Sequence, residues 1–207
     1  MCNSDHVVKT LDQFVEQSQT APLSLGEAFD ALNQSSYALI AFILVLPFLQ
    51  PLPLGPFTVL GGVAFTALGW QLFKGHASPV LPQKISQITF SNNTWRKLNS
   101  VCKKVLSICK KFTKPRYQSM VNGRQGEKVG GFILLASGAL MVIPFGVLPF
   151  NNLLPGLAIL FYAIGELEDD GVMWFIAFFL LIVTVLYFSA FFFALYFFGQ
   201  ETLNFFK

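Results

Sequence analysis

From Val172 to Phe198 the chain runs for 27 residues without a charged side chain. A helix needs roughly 20 apolar residues to cross the hydrocarbon core of a bilayer, so this run is long enough to cross with tilt. No other feature restricts the fold as tightly. Backbone in hydrocarbon must satisfy its own hydrogen bonds, and a helix does so within one segment. The rest of the chain agrees: 54% of residues are hydrophobic and 12% charged, with 24 Phe, against about 25% charged in a soluble domain. Too few polar side chains remain to cover a water-exposed surface. The expected fold class is an all-α integral membrane protein.

Upstream, one plan occurs twice. Residues 44–75 read LVLPFLQPLPLGPFTVLGGVAFTALGWQLFKG and residues 141–171 read MVIPFGVLPFNNLLPGLAILFYAIGELEDDG. Pro47-Phe48 answers Pro144-Phe145. After a one-residue shift, Pro53, Ala67, Gly69 and Gly75 answer Pro149, Ala163, Gly165 and Gly171. Each copy is an apolar arm, a proline break and a second arm. Pro47, Pro51, Pro53 and Pro56 remove amide donors and forbid one continuous helix. In the first copy the arms, 37–49 and 57–73, are short for full spans. Two forms stay open: short spans turning at the far interface, or re-entrant hairpins turning inside the bilayer. No Gly-x-x-x-Gly interface motif stands out.

Charge sets the orientation. Between Lys74 and Lys128 lie twelve Lys or Arg residues and one acid, Glu127, so the positive-inside rule puts residues 74–130 in the cytoplasm. Within this stretch, Leu98, Val101, Cys102, Val105, Leu106, Ile108, Cys109 and Phe112 share one helical face, opposite Lys103, Lys104, Lys110 and Lys111. Such a helix suits an anionic headgroup layer or simply covers the membrane core. Near the start, Val7, Val8, Leu11, Phe14 and Val15 predict a short amphipathic helix, broken by Thr20-Ala21-Pro22. With only Lys9 basic among Asp5, Asp12 and Glu16, no cleavable signal peptide is expected. Ser24 and Glu27 have capping-box spacing, predicting a helix that continues through Leu32 into the apolar stretch from Tyr37. The expected organisation is an amphipathic segment (1–23), a first hairpin repeat (24–75) and a basic cytoplasmic connector (76–129). A second repeat (130–171), a C-terminal transmembrane helix (172–198) and a tail (199–207) follow.

The sequence carries no nucleophile elbow, phosphate loop or dinucleotide fingerprint. Cys2, Cys102 and Cys109 have no disulfide or metal spacing, and His6 and His76 read as surface residues. No metal and no cofactor is expected, and the chain is not expected to be an enzyme. The polar residues inside the breaks, Gln50, Thr58, Asn151 and Asn152, are the candidate substrate-binding set, because polar groups at membrane depth tend to be functional. The competing role is to satisfy backbone groups freed by the prolines. Glu27 and Asp30, three apart on one face, are a candidate ion or proton site or a favourable first helical turn. Arg124 and Lys128, with Lys103, Lys104, Lys110 and Lys111, are candidate phosphate or headgroup contacts. Glu166, Glu168, Asp169 and Asp170 read as a solvated acidic turn beside the lysines, with a divalent-cation site as the alternative.

A further pattern joins Leu25-Gly26-Glu27-Ala28, the break from Leu46-Pro47 to Pro56, Pro79 and Leu81-Pro82. It is strongest from Ile143-Pro144-Phe145-Gly146 through Asn152, Leu154-Pro155 and Leu157-Ala158-Ile159 to Asp170-Gly171. In these residues the chain resembles the ExoD family of bacterial membrane proteins. The resemblance implies an integral protein of the bacterial inner membrane tied to exopolysaccharide synthesis or export, and it brings no catalytic residues. The expected function is a transporter of an ion, small solute or lipid-linked intermediate through a site at the helix breaks. The alternative is a non-catalytic accessory or regulator of the polysaccharide machinery. Expected partners are anionic lipid headgroups, polysaccharide synthesis or export proteins and further copies of the chain, with no nucleic acid.

Overall fold

The computed structural model describes residues 3–19, 23–32, 35–50, 54–80, 83–121, 123–143 and 150–205. Among them, α1 (Asn3–Gln17), α2 (Leu25–Leu32), α3 (Ser35–Val45), α4 (Pro56–Lys74) and α5 (Gln83–Ser86) come first. Then follow α6 (Asn92–Cys109), α7 (Gln118–Val121), α8 (Arg124–Val142), α9 (Leu153–Glu168) and α10 (Gly171–Phe205). The fold is all-α except for a ribbon pairing Leu23–Ser24 (β1) antiparallel with Thr89–Phe90 (β2). Pro51, Pro53, Leu81-Pro82, Pro144-Phe145-Gly146 and Pro149 lie outside the described residues, as does the break at Thr20-Ala21-Pro22.

Local chemistry explains several helix ends. Ser24 and Glu27 form the capping box: the Ser24 N–H donates to Glu27 Oε2 at 2.9 Å and the Glu27 N–H to Ser24 Oγ at 3.3 Å. α4 starts on Pro56, whose fixed φ suits a first helical position. It ends at Gly75, left-handed at φ 83°, where the Gly75 and His76 N–H groups close on Leu72 and Gln71 carbonyls, satisfying orphan acceptors. Ser91 caps α6, accepting from the Thr94 N–H. α6 stops at Cys109, before Pro115, because the chain tightens into a turn in which Thr113 donates to the Cys109 carbonyl.

Among the described residues, two helices, Pro56–Lys74 and Gly171–Phe197, are long and apolar enough to cross a membrane. The expected helix running from Ser24 into the apolar stretch is not formed. The segments Gly26–Leu32 and Ser35–Leu49 lie at 119° to each other, so α2 adds no straight length to the first arm. That arm is α3 followed by a 3-10 turn over Leu46–Leu49. Nor does α10 stop at 198, since its helix continues to Phe205.

Pairing crosses the two halves: α4 packs along α8 and α3 along α9. Both pairs are antiparallel. Gly62 meets Gly138 and Val142 while Gly69 meets Gly131 and Leu135; Val45 and Leu49 meet Gly156, and Leu39 and Phe42 face Ile164 and Leu167. The α4–α8 seam is glycine against glycine. A methyl group on Gly69 would lie 2.3 Å from the Leu135 N and 2.7 Å from the Gly131 O. The interface motif not apparent as Gly-x-x-x-Gly is therefore present at seven-residue spacing, Gly62/Gly69 against Gly131/Gly138. Small residues let helix backbones approach where lipid offers no hydrophobic drive. α10 packs on α9, with Trp174 against Tyr162 at 5.7 Å.

α1 and α6 form a cap. Phe14 packs on Trp95, Asp12 accepts from Lys103 at 2.6 Å and Asn99 at 2.7 Å, and Asn92 donates to the Val15 carbonyl. The apolar face read for α6 is split. Trp95, Cys102 and Leu106 are buried, while Val101, Ile108 and Phe112 are exposed, Phe112 at 74%. The face toward the bundle is centred nearer Trp95 and Cys102, because α1 and the ends of α3 and α9 occupy that side.

Candidate functional site

Both described break ends fall at the same end of the bundle, since Leu49 neighbours Gly156 and Gly62 neighbours Val142. In the first break, Gly55 adopts φ 57° just before Pro56, and the Thr58 N–H closes on the Gly55 carbonyl at 3.1 Å. Thr58 is buried in the first turn of α4, whereas Gln50 is exposed at the end of the 3-10 turn.

The second break ends at Phe150, φ 60°, followed by Asn151 and Asn152 and then α9. Asn151 is half-buried. Asn152 is 2% exposed, and neither atom of its amide has a hydrogen-bond partner. An Asn in this position normally accepts from the second or third amide of its helix. Here the second, Leu154, donates to the Phe150 carbonyl at 3.2 Å, and the third is Pro155, which has no N–H. The sequence thus denies Asn152 its usual cap. An unsatisfied buried polar group costs about 1–3 kcal/mol, so this one stands out. One turn on, a Cβ at Gly156 would lie 3.6–3.7 Å from Leu49, Val45 and the Phe48 carbonyl, so the amide sits where α9 meets the first break.

A second unpaired group is Ser137 Oγ, on a fully buried residue of α8. Gly130 of α8 lies under the Tyr162 ring of α9. Two helical turns toward the break, about 10 Å on each helix, bring Ser137 level with Pro155 of antiparallel α9. Ser137 is not among the residues singled out from the sequence; a lone Ser inside an apolar helix normally bonds its own backbone. Thr66 and Thr184 do that, donating to Gly62 and Leu180 carbonyls at 2.7 Å; Ser137 does not. The break end is free of charge, since residues 31–73 and 129–165 contain no Asp, Glu, Lys, Arg or His.

The other candidates sit elsewhere. Glu27 is held in its capping box, which keeps its carboxyl below the usual range through hydrogen bonds from Ser24. Asp30 accepts from Ser78 Oγ at 2.5 Å, while Tyr37 donates to the Ser78 carbonyl at 2.9 Å. Each carboxylate therefore has its own structural partner. Lys103 is paired with Asp12; Lys104, Lys110, Lys111, Arg124 and Lys128 are exposed. Among the described residues, no group of three or more His, Cys, Asp or Glu is placed to hold a metal ion.

The reading of residues 166–170 as a solvated turn is overturned: Glu168, Asp169 and Asp170 are 5% exposed or less. Asp170 accepts from the Lys114 N–H at 3.1 Å, the Arg116 guanidinium at 3.2 Å and the Val172 N–H at 3.0 Å. Asp170-Gly171 thus caps α10 and clamps the end of the connector. Gly171 permits the approach, because a Cβ there would lie 2.8 Å from the Tyr117 Cβ. Asp169 takes the left-handed position that ends α9, the place Gly75 holds after α4. Gly75 and Gly171 therefore do different jobs.

The family profile described as "Exopolysaccharide synthesis, ExoD" matches residues 7–190. The chain belongs to the ExoD family. It is similar to Protein ExoD of Rhizobium meliloti (strain 1021), 26% identical over 200 residues that cover 95% of this chain and 82% of the relative. No solved structure matches. Within this ExoD chain the match spans both breaks and the Asp170-Gly171 clamp, and it includes Ser137 and Asn152.

Proposed function

We propose that this ExoD-family chain is a non-catalytic component of exopolysaccharide synthesis or export in the bacterial inner membrane, with residues 74–130 cytoplasmic. It holds or passes a small, neutral, hydroxyl-bearing solute at its second helix break. The observation that carries this reading is Asn152, buried with its amide unpaired where α9 begins. An amide offers one acceptor and two donor hydrogens, which matches a hydroxyl group that both donates and accepts. The break end carries no charge, so an ion there would lack a counter-charge, and burying an uncompensated charge is far costlier than burying a hydroxyl.

The test is solute flux in proteoliposomes under gradients of glycerol and of a neutral monosaccharide, followed by light scattering. Asn152→Leu is expected to cut flux at least tenfold while leaving the unfolding temperature unchanged or higher, since it removes an unsatisfied polar group. Equal flux in the two proteins rejects the site. The accessory reading draws on the far half of α10, where Phe192, Phe193, Leu195, Tyr196 and Phe197 are exposed as a surface for lipid or a partner helix. Stable co-purification with a polysaccharide synthase, together with no flux from the isolated chain, would favour it.

A further inference from the structure

Away from the breaks, at the end where α10 begins, Val129, Gly171, Trp174, Phe175 and Phe178 line an open groove of about 250 Å³ with almost no polar surface. It lies in the seam between α8 and α10, and α7 packs on both helices at its basic end. Tyr117 closes the same end, its ring edge-on to Phe175 at 6.3 Å. The volume is below the roughly 300–1,000 Å³ of drug-sized pockets and suits a length of hydrocarbon chain.

The first turns of α8, just before the groove, carry the opposite chemistry. Arg124 and Lys128, four residues apart and so on one face of α8, are exposed in its first turns, immediately before Val129. Cations at a helix N-terminus oppose the helix dipole, so these two do not serve helix stability. On the same face, Lys128 is followed one turn later by exposed Phe132. Along the axis of α8 the two bases precede the groove's Val129, the order a lipid presents from phosphate to chain.

We infer that the α8–α10 seam is a binding site for one anionic phospholipid of the cytoplasmic leaflet. Its phosphate lies at Arg124 and Lys128 and one acyl chain lies along Val129, Trp174, Phe175 and Phe178. The site is separate from Asn152 and does not depend on solute flux. Juxtamembrane bases attract an anionic leaflet at about 1 kcal/mol each, but that general attraction ends when the bilayer is dissolved. A built site retains its lipid.

The full chain is reconstituted in nanodiscs of phosphatidylglycerol and phosphatidylcholine, re-extracted in neutral detergent, and its retained lipid counted by native mass spectrometry. One phosphatidylglycerol per chain is expected, in preference to phosphatidylcholine. The pair Arg124→Gln/Lys128→Gln is expected to lower retention at least fivefold. So is Val129→Trp, which fills the groove and leaves the charges; Phe175→Ala, which opens its wall, replaces Val129→Trp if that variant fails to fold. Equal retention of the two lipids overturns the site. So does loss with the charge variant alone, which would mark headgroup attraction without a groove. Retention unchanged in all variants overturns it as well.

Discussion

Asp170 has no exposed side-chain surface, and its partner Arg116 is 46% exposed. The two respond differently to truncation. Asp170→Ala removes the cap of α10 and the acceptor for Arg116 and Lys114 together. Loss of charge-assisted bonds and of a cap suggests about 3–5 kcal/mol, seen as a large fall in the unfolding temperature in detergent. Arg116→Ala leaves the buried carboxylate with two backbone donors and is expected to cost less, about 1–3 kcal/mol. Asp12 is the milder counterpart. Its carboxyl is held below the usual 3.8, first by the hydrogen bond from Lys103 and then by Asn99. A carboxyl lowered on folding contributes stability above its unfolded value and loses it as pH falls through the folded one. The stability gap between wild type and Asp12→Asn should therefore be present at pH 7 and close below about pH 3.8. With both side chains near half-exposed, it should stay within about 1 kcal/mol and shrink in high salt.

Between elements, the α4–α8 seam is the least forgiving contact. Gly69→Ala drives a methyl group into the backbone of α8 and must push the helices apart. Gly61→Ala meets the Phe48 ring first, at 2.3 Å, and a side chain can turn away. Overpacking a close seam typically costs about 1–3 kcal/mol, so Gly69→Ala should lower the unfolding temperature well beyond Gly61→Ala in the same detergent. This seam marks the limit of what the sequence discloses. Helix starts were legible where their chemistry is local: Ser24 with Glu27, the arm that follows Pro56, and the start of the long apolar run of α10. The seven-residue glycine spacing gains meaning only once α4 is known to lie against α8. Burial of Asp170 depends on Arg116, 54 residues away, so nearby lysines suggested a solvated turn. Asn152 was legible as a polar residue in an apolar break. Its lack of a partner depends on Phe150 occupying the Leu154 amide, which spacing alone does not reveal.

For the whole molecule, pairing across the halves fixes which loops share a side. α4 has 19 residues, about 28 Å of helix at 1.5 Å per residue, close to the hydrocarbon thickness. If its Lys74 end is cytoplasmic, as the basic connector requires, its Gly55 end reaches the opposite interface. The contacts of Gly156 with Val45 and Leu49 and of Gly62 with Val142 then place the second break at that interface too. α3 and α9 are shorter, 11 and 16 residues, and α1 and α6 pack beside them at the end away from the breaks. Single cysteines at Leu54 and Asn151 should therefore both react with a membrane-impermeant maleimide added outside intact cells, and one at His76 should not. Cys102 is a quiet background, since burial pushes its thiol up to about 11; Cys2 and Cys109 are replaced by Ser. Labelling of positions 54 and 151 from opposite sides would contradict the packing. Protection of both from outside, with labelling from the cytoplasm, would mean that the hairpins turn back within the bilayer and that the Asn152 amide faces a cavity open to the cytoplasm.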